Sequence, residues 1–262
     1  MGLKVLPRGS LAGGGTVAPD QPVLVLLHAF PLDHRMWCPV ADLLSDLPVC
    51  LFDLPGEGLA QGLEPSLDAA AQAITDALTA WGAARWVVGG VSMGGYVAMA
   101  MARQNPAGLA GLALIDTKPD PDDAATKQAR NLTAREVLAA GSPGPVLGMA
   151  EKVLGSTTRA SRRDLVDQVR SWIADGDPEA IAWAQAAMAS RGDSTQTLRQ
   201  LRVPASVIVG EQDRLSPPEV AERMAQLIPG ADLTVVPNAG HLSPVENPQA
   251  IAQALRDLYS RC

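Results

Sequence analysis

Six short apolar runs punctuate the chain, at 23–27, 49–52, 86–88, 112–115, 207–209 and 233–236. None alternates polar with apolar residues, so each suits a strand covered on both faces, as in a parallel sheet. Helical patterns fill the intervals at 66–81, 94–103, 217–227 and 248–258. Strand–helix alternation with short connections predicts an α/β fold with a doubly wound, mostly parallel sheet. A chain of 262 residues, 47% of them apolar, has ample material for one such core and is no disordered polymer. No apolar run approaches the ~18 residues of a membrane-spanning helix.

One segment breaks the alternation. Residues 118–192 hold ten basic and ten acidic side chains, whereas the rest of the chain carries the whole net charge of −7. Leu165, Val166, Val169, Trp172 and Ile173 recur at helical spacing, and Ser161 with Asp164 predicts a helix N-cap. Asp177-Pro178 predicts a second cap opening a helix through Met188, and Gly141-Ser142-Pro143-Gly144-Pro145 breaks the pattern upstream. The segment therefore reads as a helical insertion, 118–192, in a core made of 1–117 and 193–262. The acidic balance argues against nucleic acid or an anionic membrane as partner. Cys38, Cys50 and Cys262 have neither metal-ligand spacing nor the pattern of a disulfide framework. With no secretory signal visible, a cytoplasmic location is expected. The oligomeric state is not readable from the sequence.

The chemistry concentrates at Gly90-Val91-Ser92-Met93-Gly94, a G-x-S-x-G turn between a predicted strand and a predicted helix. Such a turn lifts a serine above the sheet, and its glycines are needed where the backbone leaves no room for Cβ atoms. A serine at its ordinary pKa is a weak nucleophile and needs a base. Only His28, His34 and His241 are available, and His241 sits in Pro237-Asn238-Ala239-Gly240-His241, just past a predicted strand. The base in turn needs a carboxylate to hold its tautomer. Asp213 and Asp116 both follow strand ends. Asp213 is preferred because Gly210 permits a turn there and Pro217 opens the following helix, but Asp116 stays a candidate.

With these residues in hand, the chain from about 22 to 258 resembles the α/β-hydrolase superfamily, in particular its carboxylesterase and enol-lactone hydrolase branch. The order Ser92, Asp213, His241 is that family's order of nucleophile, acid and base. His28-Ala29-Phe30-Pro31 looks like its H-G-x-P turn, with Ala29 in place of glycine; the match implies an oxyanion hole made by the amides of Phe30 and Met93. Asp53-Leu54-Pro55-Gly56-Glu57-Gly58 is similar to the family's D-x-P-G-x-G loop. By the same resemblance, 118–192 lies where these enzymes carry a helical cap.

The reading is a cofactor-free, metal-free serine carboxylesterase acting on short- to medium-chain esters through an acyl-enzyme. Trp172, Trp183, Met149 and Met188 are candidate substrate contacts. The alternatives are a lactone hydrolase resembling 3-oxoadipate enol-lactonase and a non-catalytic receptor or scaffold; an intact set of Ser92, Asp213 and His241 disfavours the last. The partner is a small-molecule ester or lactone. Balanced charge in 118–192 predicts a neutral lid that prefers neutral esters to carboxylate-bearing lactones. Arg35 and several arginines of the insertion are the cations to watch.

Overall fold

The apolar runs form strands because their side chains find cover on both sides. The computed structural model describes residues 4–9, 20–54 and 64–262. Its strands are β1 (Lys4–Gly9), β2 (Val23–Leu27), β3 (Pro48–Asp53), β4 (Trp86–Val91), β5 (Leu109–Ile115), β6 (Ala205–Gly210) and β7 (Asp232–Val236). They build one sheet in the order β1-β3-β2-β4-β5-β6-β7. Only β1 runs antiparallel, against β3; the remaining pairs are parallel. Every residue of β2 through β6 is buried, as continuous apolar runs require. Strand β1 is not among the predicted strands: Pro7 cannot donate to a ladder, and a short edge strand is the place where such a residue is tolerated.

Helices α1 (Cys38–Leu43), α2 (Leu67–Ala80) and α3 (Met93–Gln104) lie among β2–β5 in sequence. Helices α4 (Ala124–Ala140), α5 (Met149–Val153), α6 (Ser156–Ser161), α7 (Arg163–Ala174), α8 (Pro178–Ser190) and α9 (Thr195–Arg199) connect β5 to β6. The chain closes with α10 (Pro218–Leu227), α11 (Ser243–Glu246) and α12 (Pro248–Tyr259). Two neighbouring glycines show how the sheet is sandwiched. Adjacent strand residues face opposite sides; a Cβ on Gly89 would meet Leu255 of α12, whereas one on Gly90 would meet the α3 backbone at Gly94. Helices α12 and α3 therefore cover opposite faces.

Local signals placed several helix ends. Ser66 caps α2, Asp177 caps α8 through the Glu179 amide, and α4 stops before Gly141 with φ +57°. The expected cap at Ser161 does not form. Its hydroxyl donates back to the Thr157 carbonyl at 2.8 Å inside α6, and α7 begins at Arg163 without a side-chain cap. All strands from β2 onward deliver their C-terminal ends to one edge of the sheet, the edge where open α/β sheets place ligands. Among the described residues no helix is long and apolar enough to cross a membrane.

Candidate active site

Ser92 is held in a backbone conformation that serine rarely adopts, φ 52° and ψ −111°. A cost of about 1–3 kcal/mol for such a residue persists only where the surroundings impose it. Here they do: the Ser92 amide donates to the Ile115 carbonyl at 3.0 Å, and the Thr117 hydroxyl donates to the Ser92 carbonyl at 2.9 Å. The turn is sharp because Gly90 and Gly94 have no side chain. A Cβ on Gly90 would lie 2.2 Å from the Gly94 oxygen, and one on Gly94 would lie 2.2 Å from the Leu27 oxygen.

The structure brings Ser92, His241 and Asp213 into one hydrogen-bonded row. His241 Nε2 lies 2.8 Å from Ser92 Oγ, and His241 Nδ1 lies 2.8 Å from Asp213 Oδ2. An ionised Asp213 only accepts, so Nδ1 carries the proton and Nε2 is left to accept from the serine hydroxyl. The other Asp213 oxygen accepts the amides of Leu215 at 2.8 Å and Ser216 at 3.0 Å, which fixes the carboxylate. Burial of the His241 ring opposes its protonation. The Asp213 hydrogen bond, together with the charges of Asp213, Asp116 and Glu246, outweighs burial and raises its pKa above the ordinary 6.5.

Asp116, the rival acid, sits beside this row but does not touch the histidine ring. Its Oδ1 accepts the Gly210 amide at 2.8 Å, and its Oδ2 accepts both the amide and the hydroxyl of Ser243, at 3.0 and 2.6 Å. It thus ties the end of β6, three residues before Asp213, to the start of α11, two residues past His241. Complete burial, and then the nearby Asp213 charge, push its pKa up to about 7.

The amides of Phe30 and Met93 donate to no described residue. Met93 is the first residue of α3, where an unpaired N–H points out of the helix start. The neighbouring His28 is neutral and structural. Its Nδ1 lies 3.0 Å from the Ala29 carbonyl, its Nε2 accepts the Leu54 amide at 2.9 Å, and burial lowers its pKa. Pro55–Gly58 of the loop after β3 lie outside the described residues.

Two cavities adjoin the row. A small one of about 40 Å³ is lined by Phe30, Met93, Leu32, Trp172 and Ile181 and is mostly apolar. A larger cleft of about 470 Å³ has Ser92 and His241 in its wall, with Phe30, Tyr96, Met149 and Met188. Of the four candidate contacts, Trp172 thus faces the first space and Met149 and Met188 the second; Trp183 is buried and lines neither. Sequence reasoning missed Lys118 and Lys152 and did not single out Arg130 among the arginines of the insertion; all three are in the wall of the larger cleft beside Asp122. The expected neutral lid is therefore not what faces Ser92. Segment-wide balance counts every side chain, including those turned to solvent or paired elsewhere. Arg170, for instance, is bound to Glu151; Arg35, outside the segment, is likewise occupied, by Asp33 at 2.7 Å and Asp175 at 2.6 Å. Asp33, His34 and Asp53 could offer metal-ligand atoms within 4.8 Å of one another. They are, however, engaged with Arg35 and each other, His34 Nδ1 lying 2.9 Å from Asp53.

A model described as the alpha/beta hydrolase family matches residues 24–254. A 2-succinyl-6-hydroxy-2,4-cyclohexadiene-1-carboxylate synthase from Enterobacter sp. (strain 638) is 29% identical over 245 residues, 92% of each chain. A pimeloyl-[acyl-carrier protein] methyl ester esterase from Aromatoleum aromaticum is 29% identical over 251 residues, 91% of this chain and 98% of the relative. Among solved structures, a thermophilic esterase from Thermogutta terrifontis, with malate bound, is 36% identical with a TM-score of 0.88. It covers 97% of this chain and 92% of its own.

Proposed function

The chain belongs to the alpha/beta hydrolase family, and from that premise we propose that it is a serine esterase that cleaves carboxylic esters through an acyl-enzyme. The observation that carries this reading is the row Ser92–His241–Asp213, with 2.8 Å at each step. Relatives of equal identity bear the names of a synthase and of an esterase, so overall similarity does not choose between reactions. The site geometry supports acyl transfer.

In this mechanism Ser92 Oγ attacks the ester carbonyl while His241 Nε2 takes the hydroxyl proton. Asp213 keeps the ring in the tautomer that can accept and stabilises the imidazolium that results. The Phe30 and Met93 amides donate to the oxyanion of the tetrahedral intermediate, each contributing about 3 kcal/mol in comparable sites. The carbon–oxygen bond to the alcohol then breaks, and His241 returns the proton to the departing oxygen. Water, deprotonated by His241, attacks the acyl-enzyme and frees Ser92. Residues 118–192 act as a cap over the cleft, and the small apolar cavity beside Phe30 and Met93 takes the short hydrocarbon end of the substrate.

The test is hydrolysis of p-nitrophenyl butyrate together with labelling by a fluorophosphonate. Wild type is expected to turn over the ester and to carry one adduct on Ser92 by peptide mapping; Ser92→Ala loses both. Full activity in that variant, or an adduct elsewhere, refutes the assignment.

A further inference from the structure

A protein of net charge −7 turns cations toward its candidate nucleophile. The cleft that contains Ser92 and His241 is lined by Lys118, Arg130 and Lys152 against one carboxylate, Asp122. That carboxylate is already committed. Its Oδ2 lies 2.5 Å from Arg130 Nε and 2.7 Å from Arg191 Nη1. Lys118 approaches the other oxygen only to 3.9 Å, beyond hydrogen-bond distance. Lys152 has no ion pair or hydrogen bond among the described residues. Its neighbour Glu151 gives no compensation, because Glu151 is bound to Arg170. The Asp213 charge is likewise occupied, by the His241 ring and two backbone amides.

Two lysines thus line the same space as the serine: Lys118, whose contact with Asp122 is too long for a hydrogen bond, and Lys152, which has no anion of its own among the described residues. Closing a substrate over them removes water from both, a cost that an anionic group of the substrate offsets. The one guanidinium in the wall, that of Arg130, already gives its Nε to Asp122 and its Nη1 to Gln185 and Met188. The cavity on the other side, beside Phe30 and Met93, offers chiefly apolar surface and only about 40 Å³.

We propose that Lys118 and Lys152 hold a free carboxylate of the substrate, so that the preferred substrates are esters, open-chain or cyclic, that carry a second, ionised carboxyl group. This rests on the esterase reading of Ser92. The held carboxylate takes no part in bond making; the ester carbon–oxygen bond alone is exchanged.

Two measurements test it. The first compares kcat/KM for p-nitrophenyl butyrate with that for two anionic analogues. These are mono-p-nitrophenyl glutarate, charged on the acyl side, and 4-butyryloxybenzoate, charged on the alcohol side. One anionic ester is expected to exceed the neutral one by about tenfold or more at low ionic strength, with the ratio shrinking as salt rises. Lys118→Met combined with Lys152→Met should lower that ratio by about tenfold, and a ratio taken within one variant cancels any general loss of folded protein. The second is calorimetric binding of glutarate, which needs no turnover: binding to wild type, weakened about tenfold in the double variant, is expected. A wild-type ratio at or below one, or a ratio and glutarate affinity that ignore the two lysines, overturns the carboxylate site. Failure of the esterase reading looks different, namely no ester hydrolysed and no adduct on Ser92 while glutarate still binds.

Discussion

Two aspartates only a few ångströms from one histidine loop do different work because their partners differ. Asp213 touches the ring; Asp116 touches the backbone on either side of it. Asp213→Asn is expected to keep the fold and lower kcat by up to ~10⁴, since an amide can favour the wrong ring tautomer. Asp116→Asn should cost far less in kcat. The pH profile supplies a second check. His241 must be neutral to act as a base and its pKa is raised, so kcat/KM should climb with pH through a value above 6.5 and then level off. Asp213→Asn removes the main support of the charged ring and should move that rise to lower pH. Asp116 has a signature in stability instead. Its folded carboxyl keeps its proton to about 7 against an ordinary 3.8, so between those values the folded state binds more protons than the unfolded one. Stability therefore falls as pH rises through that window. Asp116→Asn removes that loss, so the wild-type advantage in urea unfolding should be smaller at pH 7.5 than at pH 4.5. An advantage that did not shrink with pH would show that Asp116 is ionised throughout.

At the scale of elements, the site depends on connections made where two backbones meet. The turn between β4 and α3 tolerates no Cβ at Gly90 or Gly94, so Gly94→Ala should abolish activity and cut the yield of folded protein, as read by circular dichroism and gel filtration. Glu246 of α11 performs a related task with its carboxylate. One oxygen accepts the Gly240 amide at 2.7 Å, beside His241, and the other accepts the Gly155 amide at 2.8 Å, at the start of α6. The backbones approach so closely there that a Cβ on Gly240 would lie 2.3 Å from the Gly155 nitrogen. Glu246→Ala leaves both buried amides without an acceptor and should cost about 3 kcal/mol in chemical denaturation. A loss below ~0.5 kcal/mol, within the range of an ordinary surface substitution, would show that water replaces the carboxylate.

Across the whole molecule, one buried charge joins two of the helices between β5 and β6 and, through Arg191, docks them on α3. Asp122 binds Arg130 of α4 and Arg191 just after α8, and the Arg191 guanidinium lies 4.0 Å over the Tyr96 ring of α3. The arginine contacts outweigh burial and hold the Asp122 carboxyl below its usual range. Its stabilisation is thus present above pH 3.8 and is lost as the pH falls through the lowered value. Asp122→Ala leaves two arginines unpaired, one of them with only 6% of its side chain exposed, and should destabilise the protein by about 3–5 kcal/mol near neutral pH. An equally stable variant would mean that the ion cluster contributes nothing to docking these helices.

What is local could be read directly from the order of residues. Apolar runs of three to five residues, caps such as Asp177, and the glycines around Ser92 act within a few residues of one another, and so β2 through β7, most helices and the elbow were legible before any contact was known. The order Ser92, Asp213, His241 was legible as well, because each follows a strand end. Tertiary structure decided what depends on facing. Asp116 and Asp213 both follow strand ends; Gly210 and Pro217 favoured Asp213, but it is the tertiary packing that brings this one to the ring and the other to the backbone. The sign of the cleft was hidden most fully. Lys118, Arg130 and Lys152 come from a loop and two separate helices in a segment whose charges balance. A sum over a segment weighs every side chain equally, whereas an electrostatic potential weighs each by distance and by the pairing that folding imposes.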